Sequence, residues 1–502
     1  MTTSTSVWLA TADPPRYERI NADVRSGVLV VGGGIIGLTT ALELQLTGAD
    51  VVLLEADRIG ARTSGNTTGK VTSQHGAIYA ALADRHGLET AGQYAAANQT
   101  GVERVAELVD RFAIDCEFAR TPAFVYATDE TDLRHEADVA AKLGLPAQYA
   151  DPAELGLPLT ATGVVRFDDQ GQLHPTRYLA GLAQAFTQAG GRIFENTRVT
   201  ALSADDDGIT AETEPGAVVQ AQHAIVATLL PIGILGGYFA RTRPQQSHGI
   251  AVRLPVPAPA GMAISANGPT RSTRPWPGGG PNGLIIVGSD HEVGDQTDTD
   301  DAYRKLTDWA SSLWDHRIEP EYRWSAHDYS TPDHLPYVGK APGSPILVAT
   351  GMHKWGLSNG TVASGILRDL VLDRANPFST LYDAGRIGDA HAVAGLVKDN
   401  LKVGKEFAAG HLRRLLGGGL DHLEVGEGGL YDVNGHTVGA YCDHDGQLHT
   451  VVPVCTHLGC PLRWNQGDTT WDCNCHGSRF TAEGAVLDGP ATTPLAKPEL
   501  GE

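Results

Sequence analysis

Cys455, His457, Cys473 and His476 stand in the pattern Cys-x-His, fifteen intervening residues, Cys-x-x-His. Thiolate and imidazole are the side chains that hold zinc, iron and iron–sulfur centres, and four of them in two short clusters make a complete ligand set. Three readings fit these residue types: a zinc site, a disulfide framework without metal, and a mixed Cys/His iron–sulfur cluster. Zinc fingers and ribbons usually open with two cysteines two to four residues apart, so one residue between Cys and His is tight for their knuckles. A disulfide pair alone has no use for the histidines.

A second constellation lies near the other end. Gly32, Gly34 and Gly37 spell G-x-G-x-x-G directly after the apolar run 28–31, and Ile35 and Ile36 begin the segment that follows. The first glycine permits the tight turn, the second lets backbone approach a pyrophosphate, and the third lets helix and strand pack closely. Helical spacing runs from Leu38 to Leu46, Gly48 ends it, and the second strand, "DVVLLEA", carries Glu55 and Ala56. Glu55 stands where an acid binds ribose hydroxyls, and it would repel a 2′-phosphate. The element that must position this chemistry is therefore a βαβ unit over 27–57. Two other stretches resemble phosphate loops and fail. "GGGPNG" (278–283) follows "RPWP" and not a strand, and "SGNTTGK" (64–70) has Ser64 for the first glycine and Val71 for the metal-binding hydroxyl.

The opening "SVWLATA", the βαβ unit and "EADRIGARTSGNTTGKVTSQHG" (55–76) resemble FAD-dependent oxidoreductases of the D-amino acid oxidase superfamily. So do "GQLHPTRYLAGLAQAFTQAGGRIFENTRV" (171–199), "AIVAT" (224–228), "STPDHLPYVGK" (330–340) and "ATGMHKWGLSNGT" (349–361). The resemblance covers about 6–385. It implies an α/β Rossmann-type FAD-binding domain from segments near 1–80, 160–230 and 326–385. An interleaved antiparallel-sheet substrate cap of α+β type would come from 81–160 and 231–325. It puts Gly32, Gly34, Ile35, Ile36, Gly37, Glu55, Ala56, Ser64, Gly65, Thr67 and Thr68 on the FAD, and the backbone of Val199 near the adenine. Gly351, Gly356, Leu357, Ser358 and Gly360 would lie at the isoalloxazine, at a helix N-terminus able to stabilise negative charge.

Three departures from the family matter. Some relatives attach flavin through a cysteine just before "TPD"; none stands here, so the FAD is expected to be non-covalent. Asp328 falls where many amino-acid oxidases carry a carboxylate-binding arginine, which favours a cationic substrate over a simple amino acid. Lys354 and Lys70 are the candidates for the basic residue that assists dioxygen in true oxidases.

The flanks of the cysteine–histidine clusters carry a second resemblance. "CTHLGC" and "CNCHGS" are similar to the two cluster-binding loops of Rieske [2Fe–2S] proteins, and "GP" (489–490) to their proline loop. This resemblance covers about 421–502 and implies an all-β domain. Cys455 and Cys473 would hold one iron and His457 and His476 the other, which raises the potential above that of all-thiolate clusters. It also implies that Cys460 and Cys475 are bridged over the cluster, as in the cytochrome bc-type branch. Ser478 matches a serine that donates to a bridging sulfide, while Phe480 replaces a hydrogen-bonding tyrosine, so an intermediate potential is expected. Cys116 and Cys442 read as ordinary buried thiols.

The 502 residues are 41% apolar and 19% charged, an ordinary composition for a core-forming chain of several domains. A net charge of −21 argues against nucleic acid or an anionic membrane as partner. The N-terminus has no basic start followed by an apolar run, and the apolar stretch 27–48 contains Glu43 and lacks basic flanks. A cytoplasmic protein without a membrane anchor is expected. Residues 386–420 read as a helical linker, and "DQTDTDD" (295–301) as a loop and helix start.

Together these readings predict an oxidoreductase. FAD would oxidise a C–N bond of an amine or modified amino acid by hydride transfer, and electrons would pass singly to the cluster and then to an external protein or quinone. His75, His353 and Lys354 are the candidate catalytic residues. Two other readings stay open: flow from cluster to flavin for a reductive reaction, and a redox or iron sensor without turnover. A nicotinamide-dependent reductase is disfavoured because no second glycine motif follows a strand. A Rieske oxygenase is disfavoured because no further His/His/carboxylate iron site is apparent. An oligomer is compatible with everything above.

Overall fold

The computed structural model describes residues 2–295, 299–387, 420 and 423–499. The helix expected over 386–420 therefore falls almost wholly outside the described residues.

Strand Val24–Val31, helix Ile35–Gln45 and strand Val51–Leu54 form the expected βαβ unit. All four residues of Val51–Leu54 are buried, as befits a parallel strand covered on both faces. Parallel pairing continues from Val24–Val31 to Val218–Val226 and from there to Leu347–Thr350; on the other side Val51–Leu54 pairs with Arg192–Phe194. Strand Tyr337–Lys340 closes one edge antiparallel, and the hairpin Val199–Asp205/Gly208–Thr213 branches from Val218–Val226. Helix Ile35–Gln45 packs between helices Pro175–Gln188 and Gly356–Val371, which is why ten of its eleven residues are buried. A Cβ on Gly37 would stand 1.9 Å from the carbonyl oxygen of Gly32, so only glycine lets this helix approach the strand.

The second sheet has nine strands. Its path runs Tyr322–Ser330, Arg243–Arg253, Gly283–Glu292, Arg271–Pro275, Met262–Ser265, Ala119–Ala127, Gly163–Gln172 and Lys70–Val71, with the ninth strand, Ala147–Tyr149, branching from Gly163–Gln172. All pairs are antiparallel except Met262–Ser265 with Ala119–Ala127. Strands Lys70–Val71, Gly163–Gln172 and Tyr322–Ser330 belong to this sheet, so its edges do not follow the segment boundaries drawn from sequence. Helix Thr299–Leu313 covers one face, with Tyr303, Leu306 and Ala310 packed on Ile250, Val252, Leu284 and Ile286. Its start agrees with the loop and helix start expected at 295–301, of which 296–298 lie outside the described residues.

The C-terminal region is all β. A three-stranded sheet, Gly428–Val433, His436–Cys442 and Leu448–Val451, and a four-stranded sheet, Leu462–Asn465, Thr470–Cys473, Arg479–Thr481 and Val486–Asp488, are both antiparallel. Val451, Leu462, Trp471, Phe480 and Leu495 form its core.

This small unit is docked on the second sheet by buried polar contacts. Asp468 accepts from Ser325 Oγ at 2.6 Å, Tyr303 OH at 3.0 Å and Arg479 Nη2 at 2.7 Å, and also from Gln246 Nε2. Thr299 Oγ1 donates to Asn465 Oδ1 at 2.6 Å. A buried carboxylate with this many donors is fully compensated, and removing one partner would leave a costly buried charge.

Candidate functional site

Two loops carry the cysteine–histidine set, one before strand Leu462–Asn465 and one after Thr470–Cys473. Cys455 and Cys473 are buried and outside any disulfide. Hydrogen bonding with the Cys473 thiol pulls Cys455 down to about 7, while Cys473 is held up by the same contact and by burial. His457 Nε2 donates to the carbonyl of Gly233 at 3.1 Å, which leaves Nδ1 as the free lone pair. Nδ1 of His457 and Nδ1 of His476 are both buried without a hydrogen-bond partner. Burial, then the neighbouring His457, lowers His476 to about 4, and burial lowers His457 as well. Two neutral imidazoles with orphaned Nδ1 atoms, beside two free thiols, are the donor set a [2Fe–2S] cluster of mixed ligation needs.

The surroundings hold this set in place. The histidine rings are 5.2 Å apart, and Phe239 packs edge-on against both, at 5.0 and 4.8 Å. Cys460 and Cys475 form a disulfide that ties the two loops together, and its sulfurs lie within 4.8 Å of the Cys473 sulfur. Ser478 is fully buried and hydrogen-bonded to the Cys455 thiol; Phe480 is equally buried and offers no hydroxyl. Cys116 is buried, whereas Cys442 is only half-buried.

The second site is a cavity of about 620 Å³. Gly32, Gly34, Ile35 and Ile36 line its base. Ser64 Oγ accepts from the N–H of Ile35 at 3.1 Å, capping the helix at the point where the glycine turn opens. Glu55, Ala56 and Val199 form one end and Thr67 and Thr68 a side. The Glu55 carboxylate accepts from the N–H groups of Gly33 at 2.6 Å and Asp57 at 2.9 Å. Burial raises its pKa, and those two N–H groups hold it back. At the other end, Gly356 and Leu357 begin a helix whose N-terminus faces the cavity.

Five of the residues expected on the cofactor lie behind the wall. Gly37 and Gly65 are spacers, with a Cβ on Gly65 only 2.1 Å from the Gly60 carbonyl. Gly351 has φ +77°, and a Cβ there would meet Thr331 at 2.5 Å. Gly360 sits against Ile36, at 3.0 Å for an added Cβ, and Ser358 Oγ contacts His75 Nε2 at 2.9 Å.

His75, His353 and Lys354 all line the cavity, yet each is engaged. His75 stacks on Trp355 at 4.6 Å, and its Nδ1 meets Tyr94 OH at 2.7 Å. His353 Nε2 accepts the N–H of Thr331 at 2.9 Å. Burial drives both imidazoles down to about 3, so they are neutral. Lys354 Nζ pairs with Asp290 at 3.1 Å, and its main-chain N–H donates to Asp328. Asp328 is buried in the cavity wall, its pKa raised by burial. Lys70 Nζ donates to Ala263 O at 2.8 Å and Ser272 Oγ at 2.7 Å; burial, aided by Arg274, brings it down to about 7.

Several residues facing the cavity went unnoticed in sequence. Asp290 and His327 line it, and so do Leu487, Asp488, Gly489, Ala491 and Thr492 of the C-terminal unit. His327 is 2% exposed with neither ring nitrogen hydrogen-bonded, and its Nδ1 lies 3.8 Å from Asp488 Oδ2. The only sequence signal was strand alternation in "SAHDYS", which sets His327 and Tyr329 on one face and Asp328 on the other.

The comparisons agree with both sites. The family model described as FAD dependent oxidoreductase (DAO) matches residues 27–370, and that of the Rieske [2Fe-2S] domain matches 421–499. The chain belongs to the FAD-dependent oxidoreductase family and carries a C-terminal Rieske domain; it is an enzyme whose cofactors are FAD and a [2Fe–2S] cluster. A Bacillus subtilis protein described as a putative Rieske 2Fe-2S iron-sulfur protein, YhfW, is 33% identical over 98% of this chain and 97% of its own length. Gamma-glutamylputrescine oxidoreductase of Escherichia coli is 29% identical over 42% of this chain and 50% of its own. The structure of glycine oxidase from Geobacillus kaustophilus shares the fold, with TM-score 0.61, 22% identity, and coverage of 73% of this chain and all of that one. No helix among the described residues is long and apolar enough to cross a membrane.

Proposed function

We propose that this protein is an amine or modified amino-acid dehydrogenase that passes electrons from substrate through flavin and cluster to an external one-electron acceptor. When bound, FAD supplies a two-electron acceptor for the hydride on the carbon next to nitrogen, and the cluster supplies a one-electron carrier. Gly32, Gly34, Ile35, Ile36, Glu55, Ser64 and Val199 hold the FAD, with the helix N-terminus at Gly356 favouring negative charge beside it. Cys455, Cys473, His457 and His476 hold the cluster.

The observation that carries this reading is the strand Tyr322–Ser330. It stands between the two sites: Asp328 lines the cavity, while Tyr329 OH donates to the main-chain carbonyl of the cluster ligand His476 at 3.0 Å. Among the described residues this strand borders both the cavity and the cluster loops, and Leu487–Thr492 of the C-terminal unit also lines the cavity, which supports electron exchange within one chain.

Two carboxylates in the cavity wall, Asp290 and Asp328, support a cationic substrate, and so does the printed name of the E. coli relative, an oxidoreductase of gamma-glutamylputrescine. An ammonium substrate must lose a proton before hydride can leave the neighbouring carbon. Lys70, brought down to about 7 in the cavity wall, is suited to take it. His75 and His353, neutral and fully engaged, shape the cavity and move no proton.

The test is anaerobic incubation with a panel of amines, following flavin by absorbance and the cluster by electron spin resonance. Bleaching of the flavin with appearance of the reduced-cluster signal is expected. Amines leaving both centres oxidised while NADH reduces them would overturn the proposal.

A further inference from the structure

The C-terminal unit does more than stand near the flavin cavity. Its segment Val486–Thr492 supplies part of the cavity wall, and it is pinned to the flavin-binding part at several points. Arg198 Nη2 donates to the carbonyl of Val486 at 2.8 Å. The N–H of Gly233 donates to the carbonyl of Pro490 at 2.9 Å. Tyr329 OH reaches the carbonyl of Gly489 at 3.3 Å as well as that of His476. Asp488 stands beside His327, at 3.8 Å, and beside Arg479 at the same distance. These anchors come from parts of the chain far apart in sequence, so the segment is held as a rigid edge of the cavity.

Its place along the cavity is defined by Arg198. That guanidinium adjoins Val199 and lies within electrostatic reach of both Glu55 and Asp488. The Rieske segment thus leans over the Glu55–Val199 end. Two polar groups line the cavity here: the half-buried Asp488 carboxylate of the segment and, from strand Tyr322–Ser330, a buried His327 ring with neither nitrogen hydrogen-bonded. Buried polar groups of this sort are ordinarily satisfied, and hydroxyl groups satisfy both a carboxylate and an imidazole.

We infer that the Rieske unit is itself part of the FAD-binding site, with Asp488 and His327 taking the hydroxyls of the dinucleotide and Leu487 closing the wall over it. The inference rests on the assignment of the Gly32–Glu55 turn to FAD. It adds that FAD is held by both units at once, so that loosening the Rieske segment frees the flavin. No electron or proton need move for this to hold.

The experiment is titration of FAD into the deflavinated, cluster-bearing full chain, read by flavin fluorescence. Loss of a hydrogen bond to a charged group is expected to weaken FAD binding about ten-fold in Asp488→Asn, with cluster absorbance and spin resonance unchanged. Leu487→Ala, which touches no charge, is expected to weaken it in the same direction, and Asp488→Glu to recover part of the loss. Wild-type affinity in both Asp488→Asn and Leu487→Ala overturns the inference. So does a rise in the KM for an amine substrate with FAD affinity unchanged, which would assign Asp488 to the substrate. If Asp488→Asn fails to keep its cluster, Leu487→Ala decides alone. Either failure leaves the dehydrogenase reading standing, because that reading is tested by substrate reduction of flavin already bound.

Discussion

The cluster loops and the flavin cavity are both cofactor sites, but they are built in opposite ways. Every proposed cluster ligand falls between Cys455 and His476, on two loops closed by one disulfide. The cavity draws its wall from the glycine turn, the second strand, the Thr63–Lys70 stretch, both large sheets, the Gly356 helix and the Rieske segment. The first site is a local construction whose chemistry is all in its own donors. The second is a long-range construction in which most residues only place the few that act. A substitution in the first should therefore be all-or-none and confined to one cofactor, and a substitution in the second should be graded.

The largest effect expected is complete loss of the cluster in Cys455→Ser. Iron and acid-labile sulfide should fall to background while FAD remains bound, even if more weakly. Iron content near wild type would break the contrast between the two sites. Next comes Gly37→Ala, whose methyl would be driven into the Gly32 carbonyl. Overpacking of this kind typically costs about 1–3 kcal/mol, seen as a lower melting temperature and a reduced flavin-to-protein ratio with the cluster spectrum intact. A smaller effect, on rate alone, is expected at Lys70. Its neutral form accepts the proton, so the rate with a saturating amine should rise with pH through about 7. Lys70→Met should lower the rate and abolish that rising limb; an unchanged pH profile would remove Lys70 from the mechanism. The smallest effect belongs to Tyr329→Phe. Losing its hydroxyl removes one net hydrogen bond, about 1 kcal/mol, between the strand wall and His476. A slight change in the cluster's spin-resonance signal and slower flavin-to-cluster transfer are expected, with both cofactors retained.

The same contrast explains what could be read in the sequence. The proposed ligand set of Cys455, His457, Cys473 and His476 could be named from sequence because the spacing that binds metal is a spacing along the chain. The Gly32–Glu55 turn was legible for the same reason: strand, glycines, helix and acid follow one another within a single βαβ unit. The packing role of Gly37 could be read from the motif, but Gly65 could be named without its true work, since its role is to let one backbone approach another and not to touch a ligand. His75, His353 and Lys354 line the cavity, and only the structure shows their partners, Tyr94, Thr331 and Asp290. His327 gave no signal beyond alternation in a strand, because its meaning depends on Asp488, which the chain brings beside it only after folding. The membership of Lys70–Val71 and Gly163–Gln172 in the second sheet was hidden likewise, since pairing between distant strands leaves little trace in either one.

The amino-acid sequence by itself determined which cofactors this protein uses, because glycine turns and cysteine–histidine loops are short-range devices whose geometry is set by neighbouring residues. Only the tertiary structure decided that the two cofactor sites share a wall. That wall is made of Asp328, Tyr329 and Asp488, and such side chains meet only when sheet pairing and buried polar contacts draw separate parts of the chain together.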